Sequence, residues 1–130
     1  MNRFIVGLLI VLLAGFSGVS QAEQKPASQT VGGAWVGRWY TGKSNACAGQ
    51  RGASEGLLEY TKKTMSGYEK QCDIERITPV GQGVELIGKC SGEGMESRER
   101  EYLEVVDGKL RRSVYVGRKW LTFTYNRCPN

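Results

Sequence analysis

The sequence predicts an all-β fold: a small antiparallel β-barrel or sandwich of seven to eight strands, meander-rich and stapled by two disulfides. Three observations carry this. The stretch from Arg98 to Cys128 reads as three strands with both of their turns. Glycines punctuate the chain at close intervals, and no ten-residue window has a convincing helical period. Four cysteines, an even number, all lie beyond an apolar leader.

Met1-Asn2-Arg3 is a charged start, followed by a nearly unbroken apolar run from Phe4 to Phe16 and by small residues ending Ser20-Gln21-Ala22. That order is a secretory signal peptide over 1–22, and the run falls short of the roughly 20 apolar residues that a membrane span needs. Membrane contact is therefore expected only through this peptide before cleavage, and no cysteine stands at the cleavage site to take a lipid. Residues 23–31 are polar and read as a disordered lead. Cleavage leaves 130 less 22, or 108 residues, enough for one domain, placed at 32–130. Without Arg3 the 18 basic residues become 17 against 13 acidic ones, a net charge of +4 with no histidine. This mild surplus comes with no clustered basic stripe and no nucleic-acid motif, so nucleic acid is not an expected partner.

Val31 to Tyr40 reads as the first strand, with Trp35, Gly37 and Trp39 on one face and Val36, Arg38 and Tyr40 on the other. Thr41 to Ser54 is rich in Gly, Ser and Asn and reads as a long loop, the kind of segment in which binding residues concentrate. Glu55 to Thr61 is a second strand, with Lys62 to Gly67 as the turn after it. Tyr68 to Ile77 and Val84 to Cys90 then form two strands around Pro79-Val80-Gly81-Gln82-Gly83. Centring that turn on Gly81 places Cys72 opposite Cys90 and Asp73 opposite Lys89, with Ile74, Val84 and Leu86 on the other face from that charged pair. Four cysteines allow three connectivities, and this register selects Cys72–Cys90, which leaves Cys47–Cys128. Export places the thiols where they oxidise. On the chain-entropy model the bridges contribute about 3 and about 4.5 kcal/mol. Ser91 to Glu96 reads as a second irregular stretch.

Asp107-Gly108 between runs of Val, Leu and Tyr is the strongest short-range hairpin signal, because a type I′ turn needs positive φ at both central positions. It pairs Val106 with Lys109, Val105 with Leu110 and Glu104 with Arg111. A second turn at Gly117-Arg118 pairs Val116 with Lys119, Val114 with Leu121, Arg112 with Phe123 and Leu110 with Tyr125. Alternation then puts Leu103, Val105, Leu110, Val114, Val116, Leu121, Phe123 and Tyr125 on the expected core face. Tyr102, Glu104, Arg111, Ser113, Tyr115, Trp120, Thr122 and Thr124 form the solvated face, with Tyr115 and Trp120 opposite each other.

Catalysis needs a group that titrates near neutrality or a nucleophile with a base. With no histidine and every cysteine expected in a bridge, Ser-His and Cys-His machinery is excluded. Zinc is disfavoured, since no paired C-x-x-C and no histidine complete a site. Glu93, Glu96, Glu99 and Glu101 could supply a carboxylate pair by composition, but they alternate with Arg98 and Arg100 in a charged run that reads as a solvated edge. No catalytic residue, metal or cofactor is expected. Binding is the natural use of a rigid stapled barrel. Its contact candidates are Tyr115 and Trp120, because exposed aromatics mark contact surfaces, Lys43 and Arg51 in the long loop, and Glu93 in the glycine-rich segment. The expected partner is a protein. A small apolar ligand held inside the barrel is the alternative, although a barrel this narrow tends to be filled by its own side chains. A structural role without a discrete ligand is the third reading.

Gly37-Arg38-Trp39, with Trp35 just before it, resembles the Gly-x-Trp that opens the barrel of lipocalins and other calycins. In that family a basic residue from the last strand packs over the tryptophan, and Arg127 is its counterpart by this resemblance. In length the chain is closer to the small exported barrels similar to bacterial alkaline-metalloprotease inhibitors. The wider pattern is the tryptophan strand, the four cysteines, Cys90-Ser91-Gly92-Glu93-Gly94 and the final Tyr125-Asn126-Arg127-Cys128. It resembles small periplasmic proteins of Gram-negative bacteria, a resemblance that implies a periplasmic or secreted location and brings no activity with it.

Overall fold

Turn chemistry dictates most of the architecture. In a computed structural model, which describes residues 33–130, strands β1 (Gly37–Tyr40), β2 (Leu57–Tyr60), β3 (Thr64–Gly67), β4 (Lys70–Val80), β5 (Gly83–Gly92), β6 (Met95–Val106), β7 (Lys109–Val116) and β8 (Lys119–Arg127) follow one another around a closed antiparallel barrel. The signal peptide expected over 1–22, the lead over 23–31 and the proposed strand start at Val31 and Gly32 lie outside the described residues.

Both turns of the expected meander are present, with positive φ at Asp107 and Gly108 and at Gly117 and Arg118, and its pairings are those the sequence predicts. Glu93 and Gly94 also have positive φ and make a third tight turn. The stretch expected to be irregular, Ser91 to Glu96, is therefore a two-residue hairpin between β5 and β6, with Gly92 opposite Met95. The Asn/Asp-Gly signal is absent there, and a glutamate in the left-handed region takes its place.

Three further expectations are corrected. The first strand is only Gly37–Tyr40, and Trp35 lies in the turn before it. Lys62 to Gly67 is not all turn, since Thr64–Gly67 is β3. The β4–β5 connection is the pair Gly81-Gln82 between Val80 and Gly83, one residue out of phase with a turn centred on Gly81. A bulge between Ile74 and Arg76 restores the phase, so Cys72 still faces Cys90 and Asp73 still faces Lys89. Both disulfides have the expected partners, Cys72–Cys90 and Cys47–Cys128. Two bridges are compatible with an oxidising, extracellular compartment.

The core lies inside the barrel: Trp39, Leu58, Tyr60, Met65, Val84, Leu86, Leu103 and Leu110, with the Cys72–Cys90 bridge. The register that pairs Arg112 with Leu103 and Phe123 turns its guanidinium inward as well, against Glu101. The termini and the even-to-odd turns share one end. Trp39 is completely buried there, and the Arg127 guanidinium lies 4.0 Å above its ring centroid. Trp39 Nε1 donates to Trp35 O at 2.9 Å, while Arg127 donates to Ala34 O and Val36 O. Gly37 makes room for this stack. Its φ of +135° suits glycine, and a Cβ there would stand 2.7 Å from Arg127 Nη1.

β1 pairs with β8 only through Trp39–Arg127 and Tyr40–Asn126, whereas β3 meets β4 at the opposite limit, over Lys70–Asp73. Closure is thus diagonal, the stagger that a tilted barrel requires. β1, β2 and β3 are four residues each, and the strands of the facing wall run from eight to twelve. The short wall leaves part of the tall one uncovered.

Gly37→Ala is expected to lose about 1–3 kcal/mol of stability through the forced φ and the displaced guanidinium. Arg127→Ala should lose less in the Gly37→Ala background than alone, because the two act on one contact. Urea denaturation of the four members of this cycle checks it, and additive losses would contradict the coupling.

Candidate binding end

In a meander of this kind the β1–β2, β3–β4, β5–β6 and β7–β8 connections all emerge at the end opposite the Trp39–Arg127 stack. Topology therefore carries Lys43, Arg51, Glu93, Tyr115 and Trp120 to one end of the barrel. They are not equivalent there. Lys43 is exposed, where a short 3-10 turn, Ser44–Ala48, begins. Arg51 is held by an ion pair with Glu59, and Glu93 is exposed at its hairpin tip. The loop bearing Lys43 and Arg51 doubles back along the outer wall, tied toward the stack by Cys47–Cys128 and by Arg38 Nη2 donating to Gly49 O at 2.9 Å. It returns at Gly52, whose carbonyl accepts from Glu69 N–H at 2.8 Å beside the β3–β4 turn.

The β7–β8 hairpin dominates this end. Tyr115 and Trp120 face outward with ring centroids 5.3 Å apart, and the Arg100 guanidinium lies 5.4 Å from the Trp120 centroid while its nitrogens donate to Glu85. Val116, Leu121 and Phe123 face inward by register, and the sequence places them in the core. The structure corrects this: they are 56, 45 and 46% exposed, beside Tyr115 at 44% and Trp120 at 43%. Beyond Tyr125 toward the tip, β8 has no β1 neighbour among the described residues, and the hairpin exposes large apolar side chains on both of its faces. The missed signal was the length of the Thr41–Ser54 loop, which ends β1 too early to cover β8.

Below the rim the barrel is filled. Tyr60 Oη donates to Glu101 Oε2 at 2.6 Å, and Arg112 donates to the same carboxylate through Nε at 2.8 Å and Nη2 at 3.2 Å. Burial, and then the Glu101 carboxylate, push the Tyr60 phenol well above its usual range. Burial pulls Arg112 down, but Tyr60 and Glu101 outweigh it and its guanidinium ends with a raised pKa. This group fixes the barrel interior and offers no open reactive atom. Of the other carboxylates in the charged run, Glu96 pairs with Lys89 and Glu99 with Lys70. Cys72, Cys90 and Glu99 bring their ligand atoms within 4.8 Å of one another, but both sulfurs are in the disulfide. Trp35 and Trp39 are core rather than ligand wall.

At the mouth a cleft of about 550 Å³ is lined by Thr41, Leu57, Leu58, Tyr68 and Tyr125 among others. Past Tyr68 a second, of about 390 Å³, runs along Lys70, Met95, Ser97 and Glu99. The exposed Tyr68 phenol is pushed up first by Glu69, then by slight burial, with Glu55 and Glu93 adding to it, so this side of the rim is acidic. Comparison with protein-family models, with curated proteins and with solved structures finds no match to the chain.

Because the Tyr60 pKa is raised on folding, the unfolded chain loses that proton first as pH rises. The stability it contributes is complete below about pH 10 and is lost above it. Tyr60→Phe should lower stability by about 1–3 kcal/mol at neutral pH, leaving Glu101 short of a donor, and should flatten the decline above about pH 10. Urea midpoints measured across that range check it; an unchanged alkaline slope would contradict it. Arg112→Met should lose about 3–5 kcal/mol by stranding Glu101, and Glu101→Leu added to it should recover most of that loss.

Proposed function

We propose that this chain is an exported, non-enzymatic binding module of the periplasm or extracellular space. It grips a protein partner, such as a protease or a wall-degrading enzyme, through its open end and acts as an inhibitor. The observation that carries the reading is the β7–β8 hairpin, with five large apolar side chains, each over two-fifths exposed, on one two-stranded projection. Clustered exposed aromatics beside an arginine are the side chains that dominate binding energy at interfaces. The limb around Arg51, held by its ion pair with Glu59 and by Glu69 N–H donating to Gly52 O, adds contacts with little entropy left to lose on docking. The Arg127–Trp39 stack supports a calycin-like scaffold of the kind small inhibitor barrels use.

A carrier of small apolar ligands is the second reading, favoured by Leu57, Leu58 and Tyr125 lining the mouth cleft. The ligand would sit in that cleft and not deeper, since the interior below is occupied by Trp39 and the Tyr60–Glu101–Arg112 group.

The test is inhibition of a panel holding a serine protease, a metalloprotease and a peptidoglycan hydrolase. Stoichiometric inhibition of one member is expected, weakened about 30-fold by Trp120→Ala, the effect of losing about 2 kcal/mol at a hot spot. The thermal midpoint should hold, since the side chain is half-exposed. No inhibition across the panel, together with displacement of a fluorescent apolar probe by a fatty acid, would replace this reading with the carrier.

A further inference from the structure

Among the described residues, two long stretches of strand edge lack a neighbouring strand, and they are built in opposite ways. On β4 the edge from Glu75 to Val80 carries a bulge, the charged pair Glu75 and Arg76, and Pro79, three devices that keep foreign strands from adding. On β8 the edge from Lys119 to Thr124 is exposed at every residue and has none of them. Its one charge, Lys119, stands at the tip, and Trp120-Leu121-Thr122-Phe123-Thr124 is neutral and rich in β-formers.

The direction of the free backbone groups follows from the register. In a two-residue hairpin the residues flanking the turn exchange hydrogen bonds, so Lys119, Leu121 and Phe123 bond to β7. Trp120, Thr122 and Thr124 therefore turn their N–H and C=O groups away from the barrel. Farther along the same strand edge, Cys128 N–H donates to Arg38 O at 2.9 Å, in the same phase. Among the described residues, three donors and three acceptors in a row have no strand partner.

We propose that a second copy of this chain covers this edge, β8 pairing antiparallel with β8 about a twofold axis through Thr122. The strand is complementary to itself in that register. Thr122 meets Thr122, and Trp120 meets Thr124 on the outer face. Leu121 meets Phe123 on the inner face, twice, closing a four-residue apolar cluster. The Thr–Thr and Trp–Thr pairs belong to favourable cross-strand classes, the Leu–Phe pairs are apolar throughout, and none of them sets like charges opposite. Six backbone hydrogen bonds would form, in the isologous arrangement commonest among homodimers. The half-exposed side chains of the hairpin leave on the order of 500 Å² of apolar surface per copy, so the pair can remove up to about 1,000 Å², where specific interfaces begin. The dimer draws on Trp120, Leu121 and Phe123, which the inhibitor reading assigns to the bound enzyme, so the two would compete for this hairpin; self-association of the free protein is tested whichever enzyme is bound.

Sedimentation velocity of the purified protein across the micromolar range tests it, with Thr122→Lys and Thr122→Pro beside the wild type. Lysine places like charges across the dyad. Proline removes an N–H that points away from β7, so the β7–β8 bonds survive. A reversible dimer is expected, weakened about tenfold or more in both variants. Amide exchange at Trp120, Thr122 and Thr124 should slow as concentration rises. A monomer at every concentration, a dimer indifferent to both substitutions, or amides protected independently of concentration, as when another segment of the same chain covers the edge, would each overturn the proposal.

Discussion

The Arg127 guanidinium lying on Trp39 is the contact on which the rest of the barrel depends. Eight strands can close only if the last finds the first, and here that seam holds just two residue pairs. A ladder so short is not self-sufficient. The guanidinium supplies what it lacks: a cation–π contact of roughly 0.5–1 kcal/mol, and solvent-exposed bonds to two carbonyls of the entering chain worth roughly 0.5–1.5 kcal/mol each. Cys128, the next residue, adds a covalent tie across 81 positions, for which the chain-entropy model gives about 4.5 kcal/mol. Gly37 completes the arrangement by leaving the space a side chain would fill.

Everything at the other end follows from how little of β8 that seam uses. With β1 ended at Tyr40, the rest of β8 rises past its only neighbour on that side, and side chains patterned for a core emerge into solvent. The interior is closed by side chains rather than left as a cavity, with the Tyr60–Glu101–Arg112 group in its middle. A buried ion pair of this kind adds little net stability over an apolar filling but penalises any register that separates its members. Arg112 and Glu101 sit on adjacent strands, so they pin the β6–β7 pairing that points the hairpin. The rigid base and the exposed tip are two results of one closure geometry.

How much of this the sequence discloses depends on whether the determinant is local. The Asp107-Gly108 and Gly117-Arg118 turns fix register within a few residues, and every pairing of the β6–β8 meander could be counted from them. The Cys72–Cys90 bridge was also legible, although the route was inexact: the turn stood one residue away and the Glu75 bulge compensated. The contact between Arg127 and Trp39 has a physical reason that no short-range pattern discloses, the close approach of Gly37 to the guanidinium. What could not be read was which part of β8 the first strand meets. Val116, Leu121 and Phe123 alternate as core residues do, and only the non-local register that seats Tyr40 against Asn126 exposes them. Arg112 was in plain view, since the Arg112–Phe123 pairing already turned it inward.

The most direct test of this closure is the NMR chemical shift of the Arg127 side chain in the oxidised protein. A guanidinium and δ-methylene held over the Trp39 ring face are shielded by its ring current, and hydrogen bonds to two carbonyls slow exchange of the guanidinium protons. Upfield-shifted Arg127 signals with slowly exchanging N–H protons, both lost in Trp39→Leu, are the predicted result. Random-coil shifts and fast exchange at Arg127 would mean that the seam is held some other way, and would remove the basis for an open, projecting hairpin at the far end.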